Sequence, residues 1–466
     1  MDYRPLLGVI SLGDPREEVP WRREEEERHR RLIDYLQGLS DVKVSASNGV
    51  IRGLKEARDT VEKLVFEGCD VLLLYIPIWT YPSITVMASK AATDMGVPLV
   101  IVYNDGVLSG LLASVGALKQ VSIEHRMIYG RIEKVSERIL CIARACMAIK
   151  RLRGSVYGVF GGRALGMYTV VDDSIRWQRV FGIDIEHVDQ AEILREAEKI
   201  NEELVKKYLK WIEESVGLVE YDGNILTREK LKRQIRVYLA LKKLVRKYRF
   251  DFCGLKCQPE LSDYYVDACL AIALLNDPYD MDGDKEPIVC ACEVDHDGAL
   301  TMQILKLISG GKPTTLMDVL VYDEEEELLY LGNCGGMSTW FAKRSKRASE
   351  NLREVHLRPQ IQGKAGGAAT QYVADEGSFT IARLYRVGDN YNMVILKAKS
   401  VRVPRESLRK SMWPWPHIVV KIDKNCFNKL IKNLGANHLH AVHGDYVNEL
   451  QEFCELMNIQ YTIIKA

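Results

Sequence analysis

The sequence has no excess of either charge, no long apolar run and no cysteine framework, and each absence excludes a class of protein. Lysine and arginine together number 64, as do aspartate and glutamate. The chain therefore has no basic field of the kind that binds nucleic acid or an anionic membrane. No window approaches the roughly 18 unbroken apolar residues of a membrane helix, and the first apolar run is too short for a signal peptide core. We expect neither a nucleic-acid partner nor a membrane partner.

The 11 cysteines are scattered and odd in number, which is typical of reduced thiols in a cytoplasmic protein. The nearest approaches to a metal-binding pair are Cys253 with Cys257 and Cys290 with Cys292. Neither pair has the two-residue gap of a zinc knuckle, and the second lies in an apolar run. Structural zinc is therefore not predicted.

The pattern of apolar residues predicts an α/β fold. A chain of 466 residues with 47% apolar and 27% charged residues has room for about two to four globular domains. Buried-type strands and amphipathic helices alternate through residues 1–152 and again through 153–312, which predicts two doubly wound parallel-sheet domains. Apolar and polar residues then alternate around a turn at Gly388-Asp389-Asn390, so we expect 313–466 to form a β-rich, barrel-like domain.

Two carboxylates in one strand–helix–strand pattern, Glu293 and Asp318, are the first candidate site. An apolar run precedes Glu293, a helical pattern follows it, and a second apolar run contains Asp318. A βαβ unit pairs its strands in parallel, so both carboxylates could face the crevice beyond the strand ends where such sheets bind ligands. The structural alternative is a solvated loop at Asp295–Asp297 that caps the helix, with Asp318 as a satisfied core acid.

Three of the nine histidines, His438, His440 and His443, lie within six residues. On a strand the first two share a face, and we expect His443 in the following turn. One imidazole with two carboxylates suits a hard divalent ion that keeps open positions for water or substrate. Clustered histidines also occur as plain surface residues.

A glycine loop before a helix, with Gly161, Gly162 and Gly166, offers a competing interpretation. Glycine turns at helix starts can hold a dinucleotide pyrophosphate. The spacing departs from the G-x-G-x-x-G pattern, however, so nicotinamide or flavin binding is the weaker interpretation.

Segments along nearly the whole chain resemble the L-fucose isomerase and L-arabinose isomerase family, and the L-fucose branch more closely. Each motif is short, but their common order and spacing are hard to obtain by chance. The segments that carry the resemblance are CEVDHDGALT at Cys292–Thr301, the strand around Asp318 and Ala436-Asn437-His438, supported by Leu255–Glu260, Gly161–Met167, Ile78-Trp79, Thr380–Leu384 and Trp415–His417.

The resemblance implies both a metal centre and a reaction. Two α/β domains and a β-rich C-terminal domain would surround Mn²⁺, with Mg²⁺ or Co²⁺ as alternatives, and Glu293, Asp318 and His438 would be its ligands. The reaction would interconvert the aldose and ketose forms of a free pentose, hexose or deoxyhexose through an enediol. Such an ion polarises the sugar oxygens, while Glu293 and Asp318 would act as base and acid.

The same resemblance implies a set of side chains that bind the sugar and an oligomer that completes the site. The family aromatic that corresponds to Trp79 reaches into a neighbouring subunit's site, which implies a homo-oligomer, a trimer or a hexamer. The implied sugar-binding residues are Arg16, Trp79, Met167, Gln258 and Trp415, with Trp413 as a second choice.

The sequence also departs from the family. Asn333 stands where the arabinose branch has a further histidine ligand, and the chain is short for an L-fucose isomerase. The substrate therefore stays open, because a shared fold fixes neither the sugar nor the activity. The alternatives are a sugar epimerase or modified-sugar isomerase on the same scaffold, and a sugar-binding protein without catalysis.

Overall fold

The computed structural model describes residues 2–103, 108–171 and 173–466, which divide into two compact units, Asp2–Lys150 and Arg151–Ala466. The first unit ends two residues before the predicted domain boundary at 152. The further boundary predicted at 312 stays a prediction. In the described part of the chain, no helix is both long and apolar enough to cross a membrane.

The N-terminal unit is built around a five-stranded parallel sheet in the order β2-β1-β3-β4-β5. Apolar side chains from β1, β3 and β4 are fully buried between the helices, which is why these strands are continuous apolar runs. The elements are β1 Leu6–Leu12, α1 Arg22–Gln37, β2 Lys43–Ile51, α2 Leu54–Phe66, β3 Val71–Tyr75, α3 Pro82–Asp94, β4 Leu99–Tyr103, α4 Leu108–Gln120, β5 Arg126–Tyr129 and α5 Ile132–Leu152.

The C-terminal unit begins with a second parallel sheet, which has four strands in the order β12-β9-β6-β7. The parallel sheets predicted for the N-terminal part of the chain are thus confirmed. This part contains β6 Val156–Phe160, α6 Ser174–Phe181, β7 Asp184–Val188, α7 Gln190–Glu198, α8 Glu202–Ser215, β8 Leu218–Val219, α9 Arg228–Tyr248, β9 Phe252–Leu255, α10 Glu260–Tyr264, α11 Cys269–Asn276, β10 Tyr279–Asp280, β11 Gly283–Asp284, β12 Cys290–Cys292 and α12 His296–Ile308.

The rest of the C-terminal unit is β-rich, as predicted. Its main sheet has seven strands in the order β17-β20-β13-β14-β19-β18-β21, and β17 also pairs with β18, so that six of the strands form a closed circuit of pairings. The elements are β13 Thr314–Asp323, β14 Leu328–Gly332, α13 Ala348–Leu352, β15 His356–Pro359, β16 Ala368–Gln371, β17 Gly377–Val387, β18 Asn390–Ser400, β19 His417–Lys421, α14 Lys424–Asn433, β20 His438–His443, α15 Val447–Leu456 and β21 Gln460–Lys465, with short 3-10 helices at Thr339–Ala342 and Arg405–Lys410.

The predicted parallel pairing of the strands on either side of α12 is wrong. β12 is an edge strand of the parallel sheet, where it pairs with β9. β13 belongs to the other sheet and pairs antiparallel with β14 and β20. The alternation of strand and helix gives no signal for this change of sheet, because an apolar run fits the interior of either.

The turn that follows β12 packs closely against Gly254 of β9. A Cβ on this β9 glycine would overlap the Tyr157 hydroxyl oxygen and come within 3.0 Å of the Val294 Cα. Tyr157 is itself fully buried. Only a residue without a side chain lets the backbone of the turn lie this close to the sheet.

We expect Gly254→Ala to lower the free energy of unfolding by about 1–3 kcal/mol, because the added methyl overpacks a filled core. The measurement is urea unfolding. Gly162→Ala is the matched control, since its Cβ would have nothing within 4 Å. Equal stability of the two variants would contradict this view of the turn.

Candidate active site

Glu293, Asp318 and His438 come together in the C-terminal unit. His438 and Asp318 are directly opposite each other on the antiparallel strands β20 and β13. The His438 Nε2 lies 3.1 Å from the Glu293 Oε2 and 3.5 Å from the Asp318 Oδ1. Two sheets thus contribute to one site, since Glu293 follows β12 of the parallel sheet.

Glu293 lies in a strained turn. Its φ is +60° and that of Val294 is +55°, a left-handed conformation that a β-branched residue rarely adopts. The His296 Nδ1 lies 2.8 Å from the Val294 carbonyl oxygen and 2.8 Å from that of Val170, which helps to hold the turn. Such strain persists only where the surroundings enforce it, and it is concentrated at functional sites.

Asp295 orients His438, a role that no pattern in the sequence predicted. Its Oδ2 lies 2.7 Å from the His438 Nδ1 and also accepts a hydrogen bond from Arg383. Its Oδ1 accepts from the Gly298 backbone N–H at 2.9 Å, so the carboxylate caps α12 as the structural alternative suggested. It is not a solvated loop residue, however, because Asp295 and Arg383 are both completely buried.

The ionisation of these groups follows from burial and charge. Burial opposes a charged His438, but the hydrogen bond to Asp295 and the carboxylates of Glu293 and Asp318 outweigh it and raise the pKa of His438 to about 10. Burial raises the pKa of Asp318. For Asp295 burial is likewise the largest effect, yet Arg383 and His438 together hold its pKa well below the ordinary value.

The donor set fits a divalent cation. The His438 Nε2 and the Glu293 Oε2 are buried and have no hydrogen-bond partner among the described residues. The Nδ1 N–H donates to Asp295, so that once a cation displaces the Nε2 proton the Nε2 would offer its lone pair beside two carboxylates, which is the usual support for a metal-binding histidine. Among the described residues, no group of three or more histidine, cysteine, aspartate and glutamate side chains has the geometry of a metal site, so the fit rests on donor chemistry.

The other two clustered histidines lie apart from this donor set. His440 is fully buried, and burial lowers its pKa well below the ordinary value. His443 is the last residue of β20 and not part of a turn, contrary to expectation. Its ring packs edge-on against Phe379 and Trp340, and burial lowers its pKa to about 4. Both rings are therefore packed among protein side chains, and neither belongs to the donor set.

Three of the predicted sugar-binding residues belong to the C-terminal unit. Met167 and Gln258 are partly exposed in the segments that follow β6 and β9. Trp415 lies just before β19, is 6% exposed and has no hydrogen-bond partner for its Nε1 in the described part of the chain. Trp413 is the weaker choice, because the guanidinium groups of Arg358 and Arg409 lie 4.6 and 3.9 Å from its ring centroid and cover the ring.

Arg16 and Trp79 belong to the N-terminal unit, in the segments that follow β1 and β3. The Arg16 Nε donates to the Oδ1 of the fully buried Asp14 at 2.9 Å, so that the guanidinium is fixed while half of the side chain is exposed. Trp79 is partly exposed and packs against Gly110 of α4. Both side chains lie beyond the carboxyl ends of parallel strands, where α/β sheets bind ligands.

The glycine loop lacks the form of a dinucleotide site. Gly161 and Gly166 have positive φ, and α6 begins only at Ser174. A pyrophosphate needs the helix N-terminus directly after the glycine turn. The loop therefore does not support the competing interpretation.

Two family models match most of the chain. The C-terminal domain of L-fucose isomerase matches residues 331–465, and its first N-terminal domain matches residues 5–154. The chain belongs to the L-fucose isomerase family.

The relatives of this L-fucose isomerase family member are named for different sugars. A sulfoquinovose isomerase from Alkalicoccus urumqiensis is 23% identical, over 77% of this chain and 76% of the relative. An L-fucose isomerase from Haemophilus influenzae is 22% identical over 90% and 84% of the two chains. An L-fucose isomerase from Citrobacter koseri is 25% identical over 83% and 79%.

Asn333, the main departure from the arabinose branch, has a structural role in this family member. It follows β14 and is 2% exposed. Its Oδ1 accepts hydrogen bonds from the backbone N–H groups of Gly335 and Gly336 at 3.2 and 2.8 Å. The side chain therefore closes a turn, and its acceptor oxygen is engaged there.

We expect Arg383→Met to lower the free energy of unfolding by about 3–5 kcal/mol, because it leaves the buried Asp295 carboxylate without one of its two cationic partners. Adding Asp295→Asn should recover part of that loss. Arg402→Met, which removes ion pairs at the surface, is the control and should cost less than about 1 kcal/mol. Urea unfolding measures all of these, and a double variant no more stable than Arg383→Met would contradict the pairing.

Metal-stripped protein should lose stability at alkaline pH through His438. The folded pKa of about 10 lies above the ordinary 6.5, so the stabilisation is complete below pH 6.5 and is lost as the pH rises through about 10. The measurement is the difference in unfolding free energy between the wild type and His438→Gln at several pH values. A difference that does not shrink between pH 7 and pH 10 would contradict the charged imidazole.

Proposed function

We propose that this protein is a divalent-metal-dependent aldose–ketose isomerase that acts on a free pentose, hexose or deoxyhexose. The observation that carries the proposal is the approach of Glu293 and Asp318 to one buried His438 nitrogen. The family and the names of the relatives support sugar isomerisation. We propose Mn²⁺ as the resident ion, with Mg²⁺ or Co²⁺ as alternatives, and Glu293, Asp318 and His438 as its ligands.

The chemistry to be catalysed is the transfer of a proton between C1 and C2 of an open-chain sugar. A bound divalent ion would polarise the sugar oxygens and offset the negative charge of the enediolate. Glu293 and Asp318 would remove and return the proton on the two faces of the enediol. Burial raises the pKa of Asp318, which is the direction that the part of the acid requires.

The hydrogen bonds around the carboxylates indicate which oxygen is available for the substrate. The Asp318 Oδ1 accepts from the Asn437 Nδ2 at 3.1 Å and faces His438. The Oδ2 is thus the oxygen that would exchange a proton with the sugar. Asp295 keeps the His438 ring fixed, so that the Nε2 stays directed at the two carboxylates during turnover.

Sugar binding would use polar, aromatic and apolar side chains. Arg16 and Gln258 can hydrogen-bond hydroxyl groups, and the indoles of Trp79 and Trp415 can stack on sugar C–H faces. Met167 would add an apolar contact. We further propose a cytoplasmic homo-oligomer, a trimer or hexamer, with Trp79 completing the site of a neighbouring subunit, and a barrel-like C-terminal sheet.

A modified-sugar isomerase is the second candidate, and the relatives named sulfoquinovose isomerase favour it. Both candidates use the same proton transfer and differ in the group that the pocket must accept at the far end of the sugar. Turnover of L-fucose compared with sulfoquinovose separates them. Nuclear magnetic resonance of the products in deuterated water separates either from an epimerase, because it identifies the ketose and any deuterium at C1 or C2.

We expect Glu293→Gln to reduce turnover at least about a thousandfold while folding is retained, because the amide cannot accept the proton and is a poor ligand. Glu325→Gln, at an exposed glutamate in the turn after β13, is the matched control and should be fully active. The assay is ketose formation before and after EDTA, followed by addition of Mn²⁺. Turnover that survives EDTA, or an active Glu293→Gln enzyme, would refute the proposal.

A further inference from the structure

An arginine-lined cavity in the N-terminal unit has no part in the isomerase proposal. Its volume is about 350 Å³, within the range of small-molecule sites. None of its lining residues is among the ligands or sugar-binding residues named above. The cavity is lined by Arg28, Arg31, Leu32, Tyr75, Arg131, Ile132 and Glu133.

The cavity lies where a doubly wound sheet binds ligands. Tyr75 is the last residue of β3, and β3 and β1 are neighbours in the centre of the sheet. In the order β2-β1-β3-β4-β5 the chain reverses direction across the sheet between these two strands, and the crevice beyond that point is the common ligand site. Helix α1 forms one wall, and the first turn of α5 forms another.

The charged groups of the cavity are arranged for an anion. The Arg28 Nη1 donates to the Pro77 carbonyl oxygen at 3.0 Å and its Nη2 to Glu24 at 2.6 Å, which fixes that guanidinium in place. Arg31 is exposed, and its side chain makes no hydrogen bond or ion pair among the described residues. Among the described lining residues three are arginines and one, Glu133, is a carboxylate, and Glu24 offsets Arg28 alone, so this part of the lining has a positive balance.

We propose that this cavity binds a small hydroxylated molecule through one phosphate, sulfate or sulfonate group. Arginine matches such tetrahedral oxyanions with paired N–H donors, and the N-terminus of α5 adds positive potential. The hydroxyl groups of the ligand would meet Glu133 and the phenol of Tyr75. Leu32 and Ile132 supply the apolar wall against its carbon skeleton.

The test is isothermal titration calorimetry of the full chain, in dilute buffer free of phosphate and sulfate, with inorganic phosphate, glucose 6-phosphate and glucose. We expect the phosphate-bearing ligands to bind, and Arg31→Gln to weaken their binding about tenfold or more. Arg31→Lys keeps the charge and should retain part of the affinity. Arg30→Gln, at the exposed neighbouring arginine outside the cavity, is the matched control and should bind as the wild type does.

The outcomes distinguish the source of the anion. Tighter binding of glucose 6-phosphate than of inorganic phosphate identifies an esterified anion and supports the proposal. Equal binding of the two identifies a free anion as the ligand and would overturn it. Absence of binding by either, binding of glucose as tight as that of its phosphate, or equal affinities of Arg31→Gln and Arg30→Gln would overturn it. Circular dichroism of each variant verifies folding, which a change at the exposed Arg31 should not affect.

Discussion

The buried carboxylate of Asp295 is the constraint on which the candidate active site depends. It accepts hydrogen bonds from the first turn of α12, from Arg383 of β17 and from His438 of β20. A carboxylate removed from water is tolerable only when such partners compensate for its lost hydration. Because these partners come from three elements, satisfying this single group fixes the helix, the sheet and the imidazole relative to one another.

Close packing around Asp295 reinforces that arrangement. A Cβ on Gly298 would come within 2.6 Å of both the Asp295 Oδ2 and the His440 Nε2, so the first turn of α12 lies against the two strands that carry the histidines and Arg383. Gly254, which has no side chain, leaves room for the strained turn at Glu293 and Val294. The metal-ligating geometry we propose is therefore held by residues that would not touch the sugar.

In both units, residues beyond the carboxyl ends of parallel strands contribute to a candidate binding site. In the N-terminal unit the carboxyl ends of the strands carry Arg16, Trp79 and the arginine-lined cavity. In the C-terminal unit Glu293 follows the edge strand β12, and the antiparallel sheet contributes the other residues of the candidate site, Asp318 and His438. Positive potential at helix starts and polar side chains at strand ends make both positions suited to polar ligands.

The sequence by itself determined the class of fold, the three candidate ligands and the family, because apolar periodicity and short motifs are local properties. The sequence identified Glu293, Asp318 and His438 as candidates, although the predicted parallel pairing of β12 with β13 was wrong. Only the tertiary structure decided that the two strands lie in different sheets, that Asp295 and Arg383 form a buried pair, and that Trp413 is covered by arginines. The reason is physical: pairing between distant strands and burial of a charge depend on partners as many as 143 residues apart, and no local pattern encodes such a partner.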